Sequence, residues 1–373
     1  MTKVMSELDY TRLISVLQNP PQVNYPVVLP DFFVDHFVLF KTFDQLIDGL
    51  NRLAEQGGGN LLDNTQFIRR GGNAVNTASA LLKLGLNPKL IVTTDEYGFS
   101  LLKALTDPEL DLSHVHTDGR LSSTVSVETE HLGRKVNIML SDSGSASKFT
   151  FSDLTEADID IIKKSSIVAL VNLNHNKSGA ELACNLFQMI KETSKSLTFI
   201  DIGDPSGNPE LVPDLVKRVI NADLVDIIGL NENEVGWIAA TLTSDKDYWK
   251  NTPSNTELWI KGAELISNET GIRVDLHTPH YSATINGDEI TATPAFDVES
   301  KVVCGAGDAW NAGNIYGTLL QLPSLDRLTL ANSLASLYVS STEASPPSVS
   351  EIVKFLEQPP SLSIDGTKLL KVQ

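Results

Sequence analysis

Cysteine is scarce in this chain, which has only Cys184 and Cys304 among its 373 residues. Two cysteines do not make a disulfide framework, so the expected location is a reducing cytoplasm. Long apolar runs are also absent, since none approaches the ~20 residues that a membrane-spanning helix needs. Residues 1–22 lack the charged and then apolar order of a secretory signal. These absences together predict a cytoplasmic protein without a membrane partner.

Positive charge is in deficit. Lysine and arginine number 29 against 47 aspartates and glutamates, which gives a net charge of −18 and an isoelectric point near 4.7. So acidic a surface repels phosphate backbones and anionic lipids, which argues against nucleic acid or a bilayer as the partner. An anionic ligand would have to be bound by local donors, such as a helix N-terminus, a metal ion or isolated basic residues. The 41% hydrophobic content is enough for a sizeable core, so the chain is expected to be globular.

Several common nucleotide and metal motifs are missing. No G-x-G-x-x-G follows the first predicted strand, which argues against an NAD-dependent dehydrogenase. The absence of G-x-x-x-x-G-K-[ST] excludes a P-loop enzyme. The seven histidines show no metal-ligand spacing such as H-E-x-x-H. Any nucleotide or metal site must therefore be built in another way.

Short runs rich in valine and isoleucine alternate with helical patterns from residue 73 onward. Such strands lack polar alternation, which indicates a parallel sheet covered by helices on both faces. The predicted strands lie at 27–29, 37–40, 90–92, 167–171, 197–201, 224–228 and 258–260, and the predicted helices near 43–56, 73–84, 99–105, 178–193, 209–220 and 232–241. The expected fold is a doubly wound, mostly parallel α/β sheet sandwiched by helices.

A different pattern occurs around Leu132 and Gly133. Residues 123–130 and 134–141 on either side alternate polar and apolar side chains, which is typical of a β-hairpin. With residues 37–40 and 65–70 they are expected to form a small sheet that acts as a lid. The predicted organisation is a helical extension at 1–26, a domain at 27–360 with a lid from about 37–70 and 122–142, and a tail at 361–373.

The stretch from Cys304 to Gly313 reads C-G-A-G-D-A-W-N-A-G and opens a predicted helix. Small residues at 305–307 permit close backbone approach, and a helix N-terminus presents free N–H groups to an anion. Asp308 in the first turn would then lie beside a bound phosphate, where it could take a proton from an attacking hydroxyl. Alternatively, Asp308 only stabilises its own helix and the glycines serve a tight turn. The small residues that follow on the helix favour a packed site.

This segment resembles the C-terminal motif of the ribokinase-like (PfkB) family of carbohydrate and nucleoside kinases, and other landmarks follow in the family's order. The resemblance extends from about residue 27 to 357 and implies the ribokinase-like fold. The further matches are Asp35 after the first strand, Gly71-Gly72-Asn73-Ala74-Val75-Asn76, the loop at 94–98, Asn231-Glu232-Asn233-Glu234 and Ala331-Asn332. One such match would be weak, whereas six in order make the resemblance specific.

The resemblance implies a kinase that moves the γ-phosphate of ATP onto a hydroxyl of a sugar, sugar derivative or nucleoside and requires Mg²⁺. Asp308 would be the general base. Backbone amides of Gly305, Ala306 and Gly307 would form the anion hole. The acceptor would be bound by Asp35, Gly71, Gly72 and Asn76. The partner is then a small molecule. The oligomeric state stays open, with a homodimer through the lid as one possibility, because lid sheets of this family often pair.

The same resemblance places the metal and the nucleotide. Asn231 and Glu234 lie one helical turn apart and would hold Mg²⁺ through its waters, since that ion sheds water reluctantly. Taken alone, Glu234 fits a solvated first-turn acid equally well. The nucleotide would be contacted by Asn231, Lys261, Gly262 and Asn332, with Lys261 and Gly262 directly after the predicted strand at 258–260.

One departure from the family lies just before the loop. Many members have Asp-Thr-Thr or Asp-Thr-Asn there and use these residues for a monovalent cation, whereas this chain has Val302, Val303 and Cys304. Valine and cysteine side chains are poor oxygen donors, so K⁺ activation is expected to be weak or absent.

Two alternative functions remain open at this point. A sugar-phosphate kinase of the same family would use Arg69, Arg70 and Arg134 as cationic groups for its acceptor. A non-catalytic regulator would bind a sugar or nucleotide on the same scaffold, although a binding protein has no need of Asp308. The particular acceptor, and ATP or ADP as the donor, also stay open.

Overall fold

The chain forms a large β-sheet with helices on both faces and a small β-sheet beside it. A computed structural model describes residues 9–302 and 304–363. The strands in these residues are β1 (Pro26–Leu29), β2 (Phe33–Leu39), β3 (Gln66–Gly71), β4 (Lys89–Leu90), β5 (Val92–Thr93), β6 (Val115–His116), β7 (Ser123–His131), β8 (Arg134–Asp142), β9 (Ile167–Leu170), β10 (Leu197–Asp201), β11 (Ile227–Leu230), β12 (Arg273–His277), β13 (Tyr281–Asn286) and β14 (Glu289–Pro294). The helices are α1 (Thr11–Gln18), α2 (Phe43–Glu55), α3 (Asn73–Lys83), α4 (Glu96–Leu105), α5 (Glu156–Lys164), α6 (Gly179–Thr193), α7 (Leu211–Leu215), α8 (Glu232–Thr243), α9 (Lys246–Trp249), α10 (Thr256–Thr270), α11 (Ala306–Leu319), α12 (Ser324–Ser340) and α13 (Val349–Glu357).

The large sheet has the strand order β14-β13-β12-β11-β10-β9-β1-β4 in the described residues. The strands from β12 to β4 in this order are parallel, and β13 and β14 are antiparallel additions at one edge. From β1 the chain adds β4 on one side and then β9 on the other, so the order reverses between β1 and β9. The ligand crevice of such a sheet lies beyond the carboxyl ends of the strands at this reversal.

Side chains of the central strands alternate between two cores. Val27 and Leu29 of β1 belong to one cluster of buried residues, and Val28 belongs to the other. The first cluster includes residues of α6, α8 and α10, and the second includes residues of α1, α3, α11, α12 and α13. The predicted parallel sheet covered on both faces is therefore confirmed. Within residues 9–302 and 304–363, the helices are all too short or too polar to cross a membrane.

The small sheet has the strand order β3-β2-β7-β8. Its hairpin of β7 and β8 pairs His131 with Arg134, and Leu132 and Gly133 between them have φ angles of 50° and 72°. Positive φ at both central residues is the conformation of a tight hairpin turn. The predicted hairpin and small sheet are confirmed. β2 begins before the predicted residue 37 and therefore carries Asp35 into the sheet.

The prediction of a strand at 258–260 is wrong, because these residues lie in α10. The helix follows Asn255, whose side chain accepts a hydrogen bond from the backbone N of Glu257 (3.2 Å). All three residues are buried, since α10 packs against α8, α9 and the large sheet. A helical turn that is buried on several sides resembles the continuous apolar run of a parallel strand.

Other boundaries also differ from the predictions. The strand predicted at 224–228 is β11 at Ile227–Leu230, and the one at 90–92 is divided between β4 and β5. The N-terminal helix is confirmed over Thr11–Gln18, while residues 1–8 and, in the tail, 364–373 lie outside the described residues. The division into extension, domain and tail stays a prediction.

Candidate active site

Polar side chains gather at the carboxyl edge of the large sheet. Asp31 follows β1, Asn172 follows β9, Asp201 ends β10, Asn231 follows β11 and His277 ends β12. Because parallel strands end at the same edge, residues that are far apart in sequence come together there. The region beyond this edge, which we call the crevice, is the candidate active site.

The start of α11 lies at this crevice, and a glycine directly precedes its first residue. Gly305 is the N-cap residue, has a φ of 88°, and provides no side-chain cap. A side chain at position 305 would overlap the hydroxyl of Tyr338, which donates a hydrogen bond to the Cys304 carbonyl oxygen (3.0 Å). The first amides of an α-helix have no acceptor within the helix. The predicted helix start is therefore confirmed, and it has the properties of an anion-binding position.

Asp308 lies in the first turn of α11 and is only 5% exposed. Asn76 of α3 donates a hydrogen bond from Nδ2 to Asp308 Oδ2 (3.0 Å). Burial raises the pKa of Asp308 well above its usual value, while the bond from Asn76 lowers it. The charges of Asp201 and Asp31 raise this pKa further, and the charge of Arg70 lowers it. A buried carboxylate with a raised pKa beside a helix N-terminus can act as a general base.

Asp31 connects β1 to the start of α3. Its carboxylate accepts hydrogen bonds from the backbone N of Asn73 (3.0 Å) and Ala74 (2.9 Å) and from Asn172 Nδ2 (2.7 Å). Gly72, the N-cap of α3, has a φ of 91°, and a Cβ there would lie 2.8 Å from the Asp31 carbonyl oxygen. Only glycine permits this approach. The sequence patterns did not single out Asp31, although an aspartate two residues after a buried strand was an available signal.

Asp35 reaches the crevice from the small sheet. It lies on β2 opposite Arg69 of β3 and Thr124 of β7. Burial raises the pKa of Asp35 to about 6, a hydrogen bond from Thr124 opposes this shift, and the charge of Asp31 adds to it. A side chain at Gly71 would overlap the Asp35 carboxylate. The structure thus brings together the four residues predicted to bind the acceptor, namely Asp35, Gly71, Gly72 and Asn76, around Asp31 and Asp308.

Asn231 and Glu234 form a reciprocal capping box at the start of α8. Asn231 Oδ1 accepts from the backbone N of Asn233 (2.8 Å) and Glu234 (3.0 Å). Glu234 in turn accepts from the backbone N of Asn231 (2.9 Å) and from its Nδ2 (2.8 Å). Glu234 is 3% exposed, so the alternative that it is a solvated acid is wrong. Burial and, next, the charge of Asp201 raise the pKa of Glu234 well above its usual value.

The carboxylates of the crevice interact through their charges. Asp31 and Asp201 each raise the pKa of Asp308, and Asp201 raises that of Glu234. No group of three or more histidine, cysteine, aspartate or glutamate side chains within residues 9–302 and 304–363 could hold a metal ion directly. Glu234 and Asp201 are carboxylates here that could contact a hydrated cation, since an ion such as Mg²⁺ keeps several of its waters and needs few carboxylates.

The residues predicted to flank the nucleotide are only partly brought to this crevice. Lys261 and Gly262 lie within α10 rather than after a strand. Lys261 Nζ is 3.9 Å from a Glu257 carboxylate oxygen on the same helix, and Gly262 allows α10 to pack closely against Val235 of α8. The strand on which their placement depended is absent, so the structure offers no argument for nucleotide contacts there.

Asn332, by contrast, is linked to the start of α11. Its Oδ1 accepts from Trp310 Nε1 (2.9 Å), and its Nδ2 donates to the Pro294 carbonyl oxygen (3.1 Å). The face of Trp310 stacks on His277, with ring centroids 4.8 Å apart. The sequence patterns did not single out His277, because β12 was not predicted. The charged Asp275 in that strand interrupts its apolar run, so the strand pattern is not visible.

The family model described as pfkB family carbohydrate kinase matches residues 42–264. This match covers more than half of the chain, so the chain belongs to the pfkB family of carbohydrate kinases. The predicted class of enzyme, a kinase, is thereby confirmed. The start of α11 with Asp308 lies beyond the matched residues, so its role rests on geometry. A search of curated proteins found no significant match.

Solved kinase structures share this fold at low sequence identity. Ribokinase from Arabidopsis thaliana, complexed with ribose and ATP, is 18% identical with a TM-score of 0.68, and the match covers 90% of this chain and 99% of that one. Adenosine kinase from Sinorhizobium meliloti is 15% identical with a TM-score of 0.65, over 90% and 99% of the two chains. Ribokinase from Cryptococcus neoformans var. grubii serotype A, in complex with ADP, is 14% identical with a TM-score of 0.66, over 90% and 99%. These likenesses confirm the predicted ribokinase-like fold.

Proposed function

We propose that this protein is an ATP- and Mg²⁺-dependent kinase that phosphorylates a hydroxyl of a sugar, a sugar derivative or a nucleoside. The observation that carries the proposal is the position of Asp308, a buried carboxylate held by Asn76 in the first turn of a helix that starts at the crevice. Structures of the same fold that contain ribose and ATP, or ADP, support a small-molecule acceptor and an adenine nucleotide donor.

The proposed chemistry is divided between Asp308 and the backbone of the helix start. Asp308 accepts the proton of the attacking hydroxyl, and the hydrogen bond from Asn76 keeps its carboxylate oriented. The amides of Gly305, Ala306 and Gly307 donate to oxygens of the transferred phosphoryl group. Charge that develops on those oxygens in the transition state is stabilised by these fixed donors.

Acceptor positioning would come from Asp35 on the small sheet and Asn76 on α3. An ionised carboxylate accepts hydrogen bonds from two hydroxyls at once, which suits a polyhydroxylated acceptor. With a pKa raised to about 6 by burial, Asp35 is largely ionised at pH 7. Groups that fix the acceptor from two different elements reduce the entropy lost in reaching the transition state.

Glu234 and Asn231 would hold Mg²⁺ through its waters, with Asp201 as a further negative charge nearby. The capping box already uses hydrogen-bonding positions of Asn231 and Glu234, which is the reason for contact through water rather than direct ligation. Bound Mg²⁺ would neutralise phosphate charge in a crevice that is itself rich in carboxylates.

Glu234→Gln should raise the Mg²⁺ concentration that gives half the maximal rate by about 10- to 100-fold, the usual effect of losing an outer-sphere ligand. Glutamine also serves at the third position of a capping box, so α8 should keep its start. The measurement is a Mg²⁺ titration of the initial rate, with Glu257→Gln on α10 as a control of the same chemistry away from the crevice. An unchanged titration midpoint would remove Glu234 from the metal site.

The proposed function is tested by a phosphorylation screen of the purified protein over sugars, sugar acids, sugar phosphates and nucleosides. ATP and ADP should be compared as donors, and the product should be identified by its mass. Turnover of a hydroxyl acceptor is the expected result. If nucleotide binds but no acceptor is phosphorylated, the non-catalytic regulator becomes the better account.

The position of Arg70 supports a second candidate function, in which the acceptor is anionic, as in a sugar-phosphate kinase. Arg70 Nε is buried with no hydrogen-bond partner among residues 9–302 and 304–363. Burial lowers the pKa of Arg70, and the negative charge of Asp308 opposes this shift. Arg69 differs, because it donates to the Thr342 carbonyl oxygen (3.0 Å) and lies over the Phe67 ring. A guanidinium with a free donor at a buried Nε is suited to a phosphate or carboxylate of the acceptor.

A homodimer through the small sheet is the proposed assembly. Ile68, Val125 and Leu140 lie in one row across the small sheet, with His36 of β2 between Ile68 and Val125, on the face opposite to Asp35. The three apolar side chains are 49%, 39% and 63% exposed, so they are uncovered within the described residues. A second copy of the same row would cover it.

Leu140→Glu should convert the dimer to a monomer, because like charges would meet in an apolar interface. Light scattering after gel filtration measures the mass of both proteins. Leu62→Glu is the matched control, since Leu62 is also exposed (76%) but lies outside the small sheet. A monomeric wild-type protein would contradict this assembly.

Weak or absent K⁺ activation and a cytoplasmic location, both expected from the sequence, stay predictions.

A further inference from the structure

His277 faces the first turn of α11 from the end of β12. A Cβ added to Gly307 would lie 3.3 Å from His277 Nε2, so the imidazole approaches the helix start at the place that glycine leaves open. Gly307 is also one of the residues whose amides would bind the transferred phosphoryl group. The imidazole and these amides therefore border the same part of the crevice.

The His277 ring is held in place by neighbouring side chains. It stacks on Trp310 with ring centroids 4.8 Å apart and an interplanar angle of 22°. Trp310 Nε1 donates to Asn332 Oδ1 (2.9 Å), and Asn332 Nδ2 donates to the Pro294 carbonyl oxygen (3.1 Å). Elements α11, α12 and β14 thus fix the orientation of an imidazole that belongs to β12. A donor fixed in this way needs no reorganisation when charge develops beside it.

The protonation of His277 follows from its surroundings. Burial lowers the pKa of His277 to about 4, and the charge of Asp275 opposes this shift only in part. The ring is therefore neutral at pH 7 and carries one N–H group. Nδ1 is buried without a partner among the described residues. A buried N–H without an acceptor is costly, so we assign the proton to Nε2, which faces the helix start.

We propose that His277 is a further phosphate-binding residue of this site, and that its Nε2–H donates to an oxygen of the terminal phosphate of the nucleotide donor. This inference rests on the proposed function, because it requires that phosphate to lie at the start of α11. A neutral donor is well suited to this position. It adds a hydrogen bond without adding a positive charge that would lower the pKa of the nearby base Asp308.

The decisive comparison is between His277→Phe and His280→Phe. Phenylalanine at 277 keeps a ring against Trp310 but removes the N–H group. His280 lies in the same connection between β12 and β13, and its ring stacks on Trp259 instead (5.7 Å). H277F should lower kcat/KM for ATP by about 10- to 100-fold, the loss expected for a hydrogen bond to a charged group, while H280F should remain close to wild type.

Nucleotide binding separates a phosphate contact from a structural effect. H277F should weaken the binding of ATP but leave the binding of adenosine unchanged, whereas a general distortion of the crevice would weaken both. If H277F does not fold, His277→Gln and His277→Met form a second pair of similar length, of which only glutamine has an N–H donor. H277Q should then exceed H277M several-fold in kcat/KM for ATP.

The outcomes distinguish the two proposals. Suppose that the wild-type protein phosphorylates an acceptor. If kcat/KM for ATP is then unchanged in H277F, or is equal in H277Q and H277M, the role of His277 is overturned and the proposed function stays in place. Equal weakening of ATP and adenosine binding in H277F also overturns it. A wild-type protein that neither binds ATP nor phosphorylates any acceptor overturns the proposed function and this inference with it.

Discussion

Asp308→Asn should lower kcat by at least ~10²-fold, the low end of the effect of losing a general base. Asparagine has the size of aspartate and can still accept the hydrogen bond from Asn76, so the crevice should keep its shape. The binding of ATP should change little, because the helix amides remain. Steady-state kinetics and isothermal titration of ATP measure the two quantities separately.

The pH dependence gives this prediction a second measurement. A base must be ionised to act, and burial raises the pKa of Asp308 well above the usual value of an aspartate. The rate should therefore rise with pH through that raised pKa, and Asp308→Asn should abolish this rise. Asp214→Asn on α7 is the control for the loss of one negative charge at an exposed ion pair. Near-normal turnover of Asp308→Asn would overturn the assignment of the base.

Asp275→Ala should lower the free energy of unfolding by about 3–5 kcal/mol, the cost of breaking a buried ion pair by removing one partner. Asp275 is fully buried and lies 3.1 Å from Arg327 Nη1 and 3.0 Å from Arg273 Nη2. It also accepts from Asn314 Nδ2 (2.9 Å) and from the Thr284 hydroxyl. Arg327 is 3% exposed, so removal of the carboxylate leaves a guanidinium inside the protein without its counter-charge.

Urea unfolding followed by circular dichroism measures this change. Asp247→Ala is the matched control, because Asp247 pairs with Lys250 at 3.0 Å in an exposed position on α9. A surface ion pair contributes little to stability, so this variant should unfold near the wild-type midpoint. Equal midpoints for the two variants would show that the Asp275 cluster does not stabilise the fold.

Those parts of the site that lie in one short segment could be predicted from the sequence. The start of α11 is recognisable because three small residues, an aspartate and a helical pattern follow each other without interruption. The start of α3 is recognisable for the same reason, with Gly71 and Gly72 before a helix. In both cases the chain itself places the functional groups next to each other, and the structure confirms that the helices begin there.

The rest depends on contacts that no local pattern records. The turn at 258–260 is buried because α8 and α9 cover it, and burial alone does not distinguish a helix from a strand. His277 meets Gly307 only because β12 ends at the same sheet edge at which α11 begins. The capping box of Asn231 and Glu234 was predictable as a pattern, but the burial of Glu234 was not.

Trp310 makes the crevice visible to an optical measurement. Its indole is buried, stacked on His277 and hydrogen-bonded through Nε1 to Asn332, so its emission depends on the local polarity at the start of α11. The other tryptophans, Trp237, Trp249 and Trp259, belong to α8, α9 and α10. Occupancy of the crevice can therefore be followed by intrinsic fluorescence, without attaching a dye to the protein or to the nucleotide.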